Sequence, residues 1–364
     1  MSLNNDIFSN LDIDLSKHTS FQELDVSRCA TLLMKTDSVV FFTGAGFSKL
    51  WRDEYPLGFD LFAIDDIEEI KDKYNFFSLA EALSIYRPEP NEEKYAEKCY
   101  EYFSEIKFHL DIYKRYPSLM PNNLDETTLN EFESEIRLFI RDRFIKKVGE
   151  DELILDKYIS ENQYLSNFFS ELSSSVKTLT FISTNYDFII EKILKKANIT
   201  NVDRGIVDRS CFQRKDWKKS KVNLFKINGG FEVYFDSHGF HLDYTQSDKN
   251  RASNIILPSR DQNYDNKYYK NMFVKSANKL REAQKLVFVG YSLPIEDHTI
   301  RFLIKNFIDC NSDEKEVYVI NRNYESALKV CEKVGELFPT LRKDENIFAI
   351  RGTFDEVCKA TSAP

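Results

Sequence analysis

The sequence predicts an α/β protein in which a Rossmann-type, doubly wound parallel sheet carries a helical insertion. Three observations support this fold class: short apolar runs of the length of buried strands, helical patterns that follow several of them, and a long helical stretch in which no strand is predicted. Strands that alternate with helices along the chain are typical of parallel sheets covered by helices on both faces.

Five apolar runs are predicted to form the strands of this sheet. Each has four to six residues, is rich in Val, Ile, Leu and Phe, and is bounded by polar residues or glycine. Because the runs are apolar on both faces, they fit parallel strands that helices cover on both sides. Helical patterns follow at least three of them, for example at 189–196 and 299–307. The runs are residues 39–43, 179–183, 222–227, 286–290 and 317–320.

A long amphipathic helix is predicted at 128–148, inside a stretch without strands at 60–175. Thr128 and Glu131 have the spacing of a capping box, and Gly149 is expected to end the helix. We therefore expect 60–175 to be a helical insertion that packs on the sheet. The apolar residues that recur at helical spacing are Leu129, Phe132, Ile136, Phe139, Ile140 and Phe144.

Length, charge and hydropathy limit the number of domains and argue against several classes of protein. The chain has 364 residues, which allows one large domain or two at about 150 residues per domain. With 50 basic and 59 acidic residues the net charge is −9, which argues against nucleic-acid binding as the main function. No apolar stretch approaches the roughly 18 residues of a membrane-spanning helix, so we expect no membrane association. Residues 1–17 do not have the pattern of a signal peptide.

The cysteine pattern supports neither a metal site nor a disulfide framework. The six cysteines are at least 21 residues apart, so no C-x-x-C pair exists. We therefore expect no zinc module, no metal, and a cytoplasmic location in which the thiols stay reduced.

The first chemical motif follows the first predicted strand. Two glycines at a strand-to-helix junction permit a tight turn and close approach of a ligand, and free N–H groups at the next helix start favour an anion such as pyrophosphate. Lys49 stands where the full dinucleotide pattern has its third glycine, so this motif alone favours a tight turn without a ligand. The motif residues after Thr43 are Gly44, Ala45, Gly46, Phe47 and Ser48.

Three further strand ends carry glycine or polar side chains. Ligands of open α/β sheets bind beyond the carboxyl ends of the strands, so the four strand ends together favour a binding site more than any one of them. Taken alone, each is also compatible with an ordinary turn held by side-chain hydrogen bonds. The second, fourth and fifth strands are followed by Thr184, Asn185 and Asp187, by Gly290 and Ser292, and by Asn321.

Seven short segments of the chain occur in a recognisable order and spacing. They are GAGFS at 44–48, PLG at 56–58, TNYD at 184–187, KING at 226–229, ILP at 256–258, GYSLP at 290–294 and VIN at 319–321. In this series the chain resembles the bacterial sirtuin-like family, and especially its antiphage-defence branch of NAD hydrolases. The resemblance extends from about residue 39 to 322 and implies a single sirtuin-like domain over 1–364, with the helical insertion at 60–175 within it.

The resemblance also implies a place for NAD. The loop at 44–48 would cradle the pyrophosphate, Asn185 and Asp187 would face the nicotinamide ribose, and Ser292 and Asn321 would contact the adenosine side. The implied catalytic residues are Asn185, Asn228 and Asp187. The implied cofactor-binding residues are Gly44, Ala45, Gly46, Phe47, Ser48, Thr184, Gly290, Ser292 and Asn321.

Two departures from the family pattern bear on function. Deacetylating sirtuins hold a zinc module on paired cysteines, which this chain does not have, so protein deacylation is the least favoured activity. The family places a catalytic histidine where this chain has Asn228, and an amide does not take up a proton near neutral pH. Either this chain is weakly active, or it is an inactivated variant, or another group such as His238 or His241 acts as the base. Histidines of a loop or strand edge are the simpler interpretation of both.

The function that the sequence favours is an NAD⁺ glycohydrolase that depletes NAD in antiviral defence, with Asn185 orienting a water at the ribose. The alternative is a non-catalytic NAD- or ADP-ribose-binding sensor or scaffold subunit, which Asn228 favours. Because nearly the whole chain is one domain, we expect a protein partner or a homo-oligomer to control activity. We expect no direct nucleic-acid partner.

Overall fold

The computed structural model describes residues 21–65, 67–157, 162–206, 220–236, 239–246, 248–259, 267–308 and 315–361. Eight parallel strands form the main sheet of this part of the chain, and two strands form an antiparallel hairpin. The hairpin consists of β6 and β7. In chain order the strands are β1 (Gln22–Asp25), β2 (Ser38–Thr43), β3 (Thr178–Ser183), β4 (Val202–Asp203), β5 (Val222–Lys226), β6 (Val233–Asp236), β7 (Gly239–Leu242), β8 (Lys285–Val289), β9 (Glu316–Ile320) and β10 (Ile347–Arg351).

The order of the strands in the main sheet is β1-β10-β9-β8-β2-β3-β5-β4. Without the two outermost strands, the order β5-β3-β2-β8-β9-β10 is the Rossmann order 3-2-1-4-5-6. The direction of winding reverses between β2 and β8, which pair in parallel from Val39 opposite Lys285 to Thr43 opposite Val289. This pair is therefore the topological switch point, and the predicted doubly wound parallel sheet is confirmed.

All five predicted strands are present, with ends that differ from the prediction by one residue at most. Five others were not predicted. β1 exposes three of its four residues and β4 has only two residues, so neither has an apolar run that the sequence pattern reveals. The apolar run of β10 has four buried residues and was missed.

Helices cover both faces of the main sheet. Val39 and Phe41 of β2 pack into one hydrophobic core with the helices at 26–34, 163–175, 189–196 and 354–361, whereas Val40 and Phe42 pack into a second core with those at 267–282, 298–304 and 324–337. This alternation explains why β2 is apolar on both faces. Over the described residues, no helix has the length and apolar character needed to cross a membrane. The helices are α1 (Val26–Met34), α2 (Ala45–Ser48), α3 (Ile67–Ile70), α4 (Phe76–Ala82), α5 (Tyr95–Arg115), α6 (Glu126–Val148), α7 (Gln163–Ser175), α8 (Ile189–Lys196), α9 (Lys267–Glu282), α10 (His298–Ile304), α11 (Tyr324–Leu337), α12 (Pro339–Lys343) and α13 (Phe354–Thr361).

The predicted helical insertion lies between β2 and β3. Its described residues form helices α3 to α7 and short turns, with no strand among them. Aromatic rings fill its interior: Phe103 lies 5.6 Å from Phe76 and 5.1 Å from Phe139, measured between ring centroids. Such pairs stabilise a core beyond the area that they bury.

The start of α6 differs from the prediction. The helix begins at Glu126, and its N-cap is Asp125, whose carboxylate accepts a hydrogen bond from the N–H of Thr128 at 2.8 Å. The predicted capping box of Thr128 and Glu131 is therefore wrong, because an aspartate three residues before Thr128 supplies the acceptor. Gly149 follows the last helical residue with a φ of 94°, as predicted for the end of this helix.

Candidate functional site

The candidate site lies at the carboxyl ends of β2, β3, β5 and β8. These four strands are consecutive neighbours in the sheet, with β2 between β3 and β8. The loops that follow them begin at 44, 184, 227 and 290, so all four predicted motifs of this region start at one edge of the sheet. That edge includes the switch point, where ligands of open α/β sheets bind.

The loop after β2 packs backbone to backbone on the loop after β8. The N–H of Gly46 donates to the carbonyl oxygen of Gly290 at 2.9 Å. A Cβ on Gly46 would lie 2.7 Å from Cα of Gly290, and a Cβ on Gly290 would lie 2.2 Å from the nitrogen of Phe47. Gly290 also has a φ of 63°, which favours glycine. Contact between the two loops therefore requires glycine at both positions.

One expectation for this loop is corrected by these contacts. The missing side chain of Gly46 makes room for Gly290, and the predicted access of a ligand to the Gly46 backbone stays a prediction. Free N–H groups were also expected here, whereas those of Gly44, Gly46 and Phe47 donate to the carbonyl oxygens of Val289, Gly290 and Gly44. These three N–H groups are therefore engaged within the protein.

We expect Gly46→Val to destabilise the fold by about 1–3 kcal/mol, the usual range for an overpacked interior. The branched side chain would have to displace the backbone of Gly290, which no rotamer change relieves. Urea unfolding of the purified variant measures the loss, with Ala45→Val as the neighbouring control that already carries a Cβ. A Gly46→Val protein as stable as the wild type would contradict this packing argument.

The side-chain amide of Asn185 is oriented by two acceptors. Its Nδ2 donates to the carbonyl oxygen of Gly44 at 2.9 Å and to Oγ of Ser48 at 2.8 Å. The carbonyl oxygen only accepts, so the amide atom that faces it must be the nitrogen. Both amide protons are then engaged, and none of the described residues donates to Oδ1. Asn185 therefore offers a ligand one group, a hydrogen-bond acceptor.

A hydrogen-bonded chain continues from Asn185 through Ser48 to Asp187. The Ser48 hydroxyl, which accepts from Asn185, donates to Oδ2 of Asp187 at 2.5 Å. The other carboxylate oxygen accepts from the N–H of Ile189 at 3.1 Å. Burial raises the pKa of Asp187 above its usual value, although Ser48 and nearby lysines oppose this shift. Each hydrogen bond of this series is donated toward the carboxylate, so every group has one role, as donor or as acceptor, and is fixed in orientation by its neighbour.

A buried charge network lies behind this chain. Lys226, at the end of β5, donates to the backbone carbonyl oxygen of Asp187 at 2.5 Å and forms ion pairs with Glu191 at 2.8 Å and Glu232 at 3.0 Å. Arg204 pairs with the same two carboxylates. Burial raises the pKa of Glu191. For Glu232 burial acts in the same direction, but Lys226 and Arg204 hold its pKa below the usual value.

The other predicted residues near β3 and β5 contact neighbouring backbone. The N–H of Thr184 donates to the carbonyl oxygen of Thr43 at 3.1 Å, which extends the pairing of β2 with β3. Asn228 is half-buried, and its carbonyl oxygen accepts from the N–H of Ile256 at 2.9 Å. Asn228 lies two residues after Lys226 of β5, and Asn185 lies two residues after Ser183 of β3. Lys226 and Ser183 are register partners in the sheet. The two asparagines therefore occupy corresponding positions beyond adjacent strands.

Ser292 and Asn321 lie beyond β8 and β9, on the same edge of the sheet. Ser292 is exposed, and its carbonyl oxygen accepts from Nζ of Lys333 at 2.9 Å. The side chain of Asn321 accepts from the N–H of Arg322 at 2.8 Å. Neither contact joins the chain of Asn185, Ser48 and Asp187, so their predicted role toward adenosine stays a prediction.

Of the two histidines considered as substitute bases, the structure describes His241. His238 lies outside the described residues. His241 is on β7 opposite Tyr234, and its Nδ1 is 3.6 Å from a carboxylate oxygen of Asp236. These contacts belong to the hairpin, and a catalytic role for His241 stays a prediction.

Sequence reasoning missed the buried charges around the site. Glu191 and Lys192 stand in the middle of the apolar segment 189–194, and Glu232 stands between Phe231 and Val233. A charged residue inside an apolar run is expected to be paired when it is buried, so these positions were a usable signal. Among the residues for which the structure gives positions, no three His, Cys, Asp or Glu side chains are arranged to hold a metal ion.

Solved Sir2 structures align with most of the chain at low sequence identity. A Sir2 enzyme shares 12% identity at a TM-score of 0.39, over 93% of this chain and 96% of that chain. A Sir2 mutant with a p53 peptide and NAD shares 11% at 0.38, over 93% and 97%. A Sir2 homologue in complex with NAD shares 11% at 0.37, over 90% and 98%. The strand order of the main sheet by itself shows the Rossmann fold of this chain.

A domain model matches part of the chain by sequence. No curated protein matches the chain. Residues 179–350 match the model of the SIR2-like domain, a segment that begins within β3 and ends within β10. It includes the predicted site residues Asn185, Asp187 and Asn228, whereas the loop at 44–48 precedes it. Residues 179–350 of this protein, a little under half of the chain, are thus similar to the SIR2-like domain.

Proposed function

We propose that this protein binds NAD and hydrolyses it to nicotinamide and ADP-ribose. The observation that carries the proposal is the hydrogen-bonded chain from Asn185 through Ser48 to Asp187, located at the switch point of a Rossmann sheet. The SIR2-like domain match over 179–350 supports NAD as the ligand. A fixed acceptor at the carboxyl edge of such a sheet suits a ribose hydroxyl or a water.

The reaction needs little covalent chemistry from the protein. Water adds to C1′ of the nicotinamide ribose, the bond from C1′ to the nicotinamide nitrogen breaks with its electron pair on nicotinamide, and the proton of the water passes to solvent. The ribose passes through an oxocarbenium-like state. The protein therefore accelerates the reaction chiefly by holding the ribose and orienting one water. Oδ1 of Asn185 can do this by accepting a hydrogen bond from that water.

Ser48 and Asp187 keep Asn185 in the required orientation. If the amide rotated by half a turn, its oxygen would face the carbonyl oxygen of Gly44, and two acceptors would repel each other. The Ser48 hydroxyl, directed toward Asp187, presents its lone pairs to the amide nitrogen. Both groups are buried, so water competes weakly for these bonds.

The second candidate function is a non-catalytic NAD- or ADP-ribose-binding subunit. Asn228 favours it, because the position at which the resembling family has a base carries an amide. The same candidate site would then bind the nucleotide without cleaving it at a useful rate.

The cellular role follows from the resemblance and belongs to the same proposal. An NAD hydrolase of this kind would deplete NAD in the cytoplasm during antiviral defence. We expect its control to come from a protein partner or a homo-oligomer.

Calorimetric titration with NAD and with ADP-ribose, followed by analysis of the products, tests the proposal. We expect the wild-type protein to bind NAD and to release nicotinamide. Asn185→Ala should lower turnover by about 100-fold, the usual effect of a misplaced reacting group, and change NAD affinity by less than about tenfold. Binding without release of nicotinamide would favour the second candidate. Absence of NAD binding would contradict the hydrolase, and absence of binding to both NAD and ADP-ribose would contradict both candidates.

A further inference from the structure

Glu152 is a carboxylate with no exposure to solvent, and it accepts bonds from three side chains. Its Oε1 accepts from Nη1 of Arg52 at 2.7 Å, and its Oε2 accepts from the hydroxyl of Tyr55 at 2.6 Å and from Nζ of Lys192 at 2.8 Å. The side chain of Lys192 is also fully buried. Glu152 therefore compensates buried positive charge and satisfies a buried hydroxyl at once.

The partners of Glu152 come from two sides of the candidate site. Arg52 and Tyr55 belong to the segment 49–55, which follows Ser48 directly. Lys192 belongs to α8, which begins two residues after Asp187. Glu152 itself lies in the 3₁₀ turn Glu150–Leu153, after the long helix α6 of the insertion. One carboxylate of the insertion thus joins the chain segments that follow Ser48 and Asp187.

The hydrogen bond between Ser48 and Asp187 spans the same two segments. It links the end of α2 to the end of the loop before α8, and Glu152 links the chain segments that follow these two residues. Lys192 is close enough to Asp187 to act against the rise of its pKa, and the carboxylates of Asp187 and Glu152 both add to the rise of the Tyr55 pKa that burial causes. The charges of the two connections therefore act on one another.

We propose that Glu152 is a positioning residue for the NAD site: it holds segment 49–55 against α8, so that Ser48 and Asp187 stay within hydrogen-bond distance. This inference rests on the proposed function and deepens it. It gives the helical insertion a part in the site, because the shared acceptor of this cluster, Glu152, belongs to the insertion. The insertion then contributes to NAD binding through Glu152.

Glu133 provides a matched control for a merely structural effect. It is a buried carboxylate of α6 that pairs with Lys107 at 3.2 Å, Lys114 at 2.9 Å and Arg137 at 3.2 Å. All of these partners lie on α5 and α6, within the insertion. Glu133→Gln therefore removes the same charge from a similar cluster that is not joined to Ser48 or Asp187 by the described bonds.

The experiment compares Glu152→Gln with Glu133→Gln in the full chain. Amide hydrogen exchange of residues 49–55 is measured without ligand, and NAD affinity and the steady-state constants are measured separately. We expect Glu152→Gln to accelerate exchange in 49–55 and to weaken NAD binding by about tenfold, as loss of a supporting bond does at other sites. Glu133→Gln should leave both within about twofold, well below the effect of a lost supporting bond. Tyr55→Phe, which leaves no charge unpaired, is the second variant if Glu152→Gln does not fold.

Each outcome decides the proposal. Unchanged exchange in 49–55 for Glu152→Gln, or for Tyr55→Phe in its place, would overturn it. Faster exchange with NAD constants equal to those of Glu133→Gln would also overturn it, since the effect would then be structural only. If the wild-type protein binds no NAD, the proposed function fails and the positioning role fails with it. Faster exchange of residues 49–55 in Glu152→Gln would in that case show only that Glu152 holds this segment in the fold.

Discussion

Asn228→His is expected to raise the rate of NAD hydrolysis by about 10²–10⁴-fold, the usual contribution of a general base. The backbone around this position is held firmly, so a new side chain would be presented in a defined direction. The carbonyl oxygen of Asn228 accepts a hydrogen bond from the N–H of Ile256. Gly229 has a φ of 77°, and a Cβ on it would lie 2.2 Å from the carbonyl oxygen of Asn254. A histidine there can take the proton of the attacking water, which the amide cannot do.

The gain should appear in turnover rather than in affinity. NAD affinity should stay within about tenfold, because the resemblance assigns binding mainly to the pyrophosphate and ribose contacts. Asn228→Gln is the matched control, since it enlarges the side chain without adding a base. Asn185→Ala in the histidine background should abolish the gain, because the water would no longer be oriented. Rates are measured for all four proteins at neutral pH, with any activator supplied.

Two results would change the interpretation. A histidine variant that binds NAD but releases no nicotinamide would favour the binding-subunit function. A wild-type rate already equal to that of the histidine variant would show that a base at 228 is dispensable, and His241 would then be the next residue to replace.

The main sheet could be predicted because burial on both faces leaves a strong trace in the sequence. The strands around the switch point are continuous apolar runs, and their order along the chain already fits a Rossmann sheet. The edge strand β1 leaves no such trace, since only Leu24 among its four residues is buried. Its place beside β10 depends on pairing with residues more than 300 positions away.

The location of the site was predictable, but its internal contacts were not. Ser48 and Asp187 are separated by 139 residues and join only because β2 and β3 are neighbours. The sequence likewise indicated that position 46 requires glycine, without showing that the requirement comes from contact with the backbone of Gly290. A motif reveals which residue types meet at a strand end, whereas the partner of each group depends on the packing of loops.

The largest effect on stability is expected for Lys226→Met. Lys226 is 1% exposed and lies between the carboxylates of Glu191 and Glu232. Without it, Arg204 alone would face both carboxylates, and the backbone oxygen of Asp187 would lose a donor. Removing one partner of a buried ion pair typically destabilises a protein by about 3–5 kcal/mol, so we expect a loss of that size in urea unfolding at neutral pH.

The dependence on pH tests the electrostatic origin of this loss. Lys226 lowers the pKa of Glu191 and of Glu232 in the folded protein, so its removal raises both. When the pKa of a carboxyl group is higher in the folded than in the unfolded protein, the free energy of unfolding falls as the pH rises toward and through the folded-state pKa. The deficit of Lys226→Met should therefore be smallest in acid and grow toward neutral pH. Adding Glu232→Gln should recover part of it, since one uncompensated carboxylate is then removed. A deficit independent of pH, with no recovery in the double variant, would show that the lysine acts through packing and not through its charge.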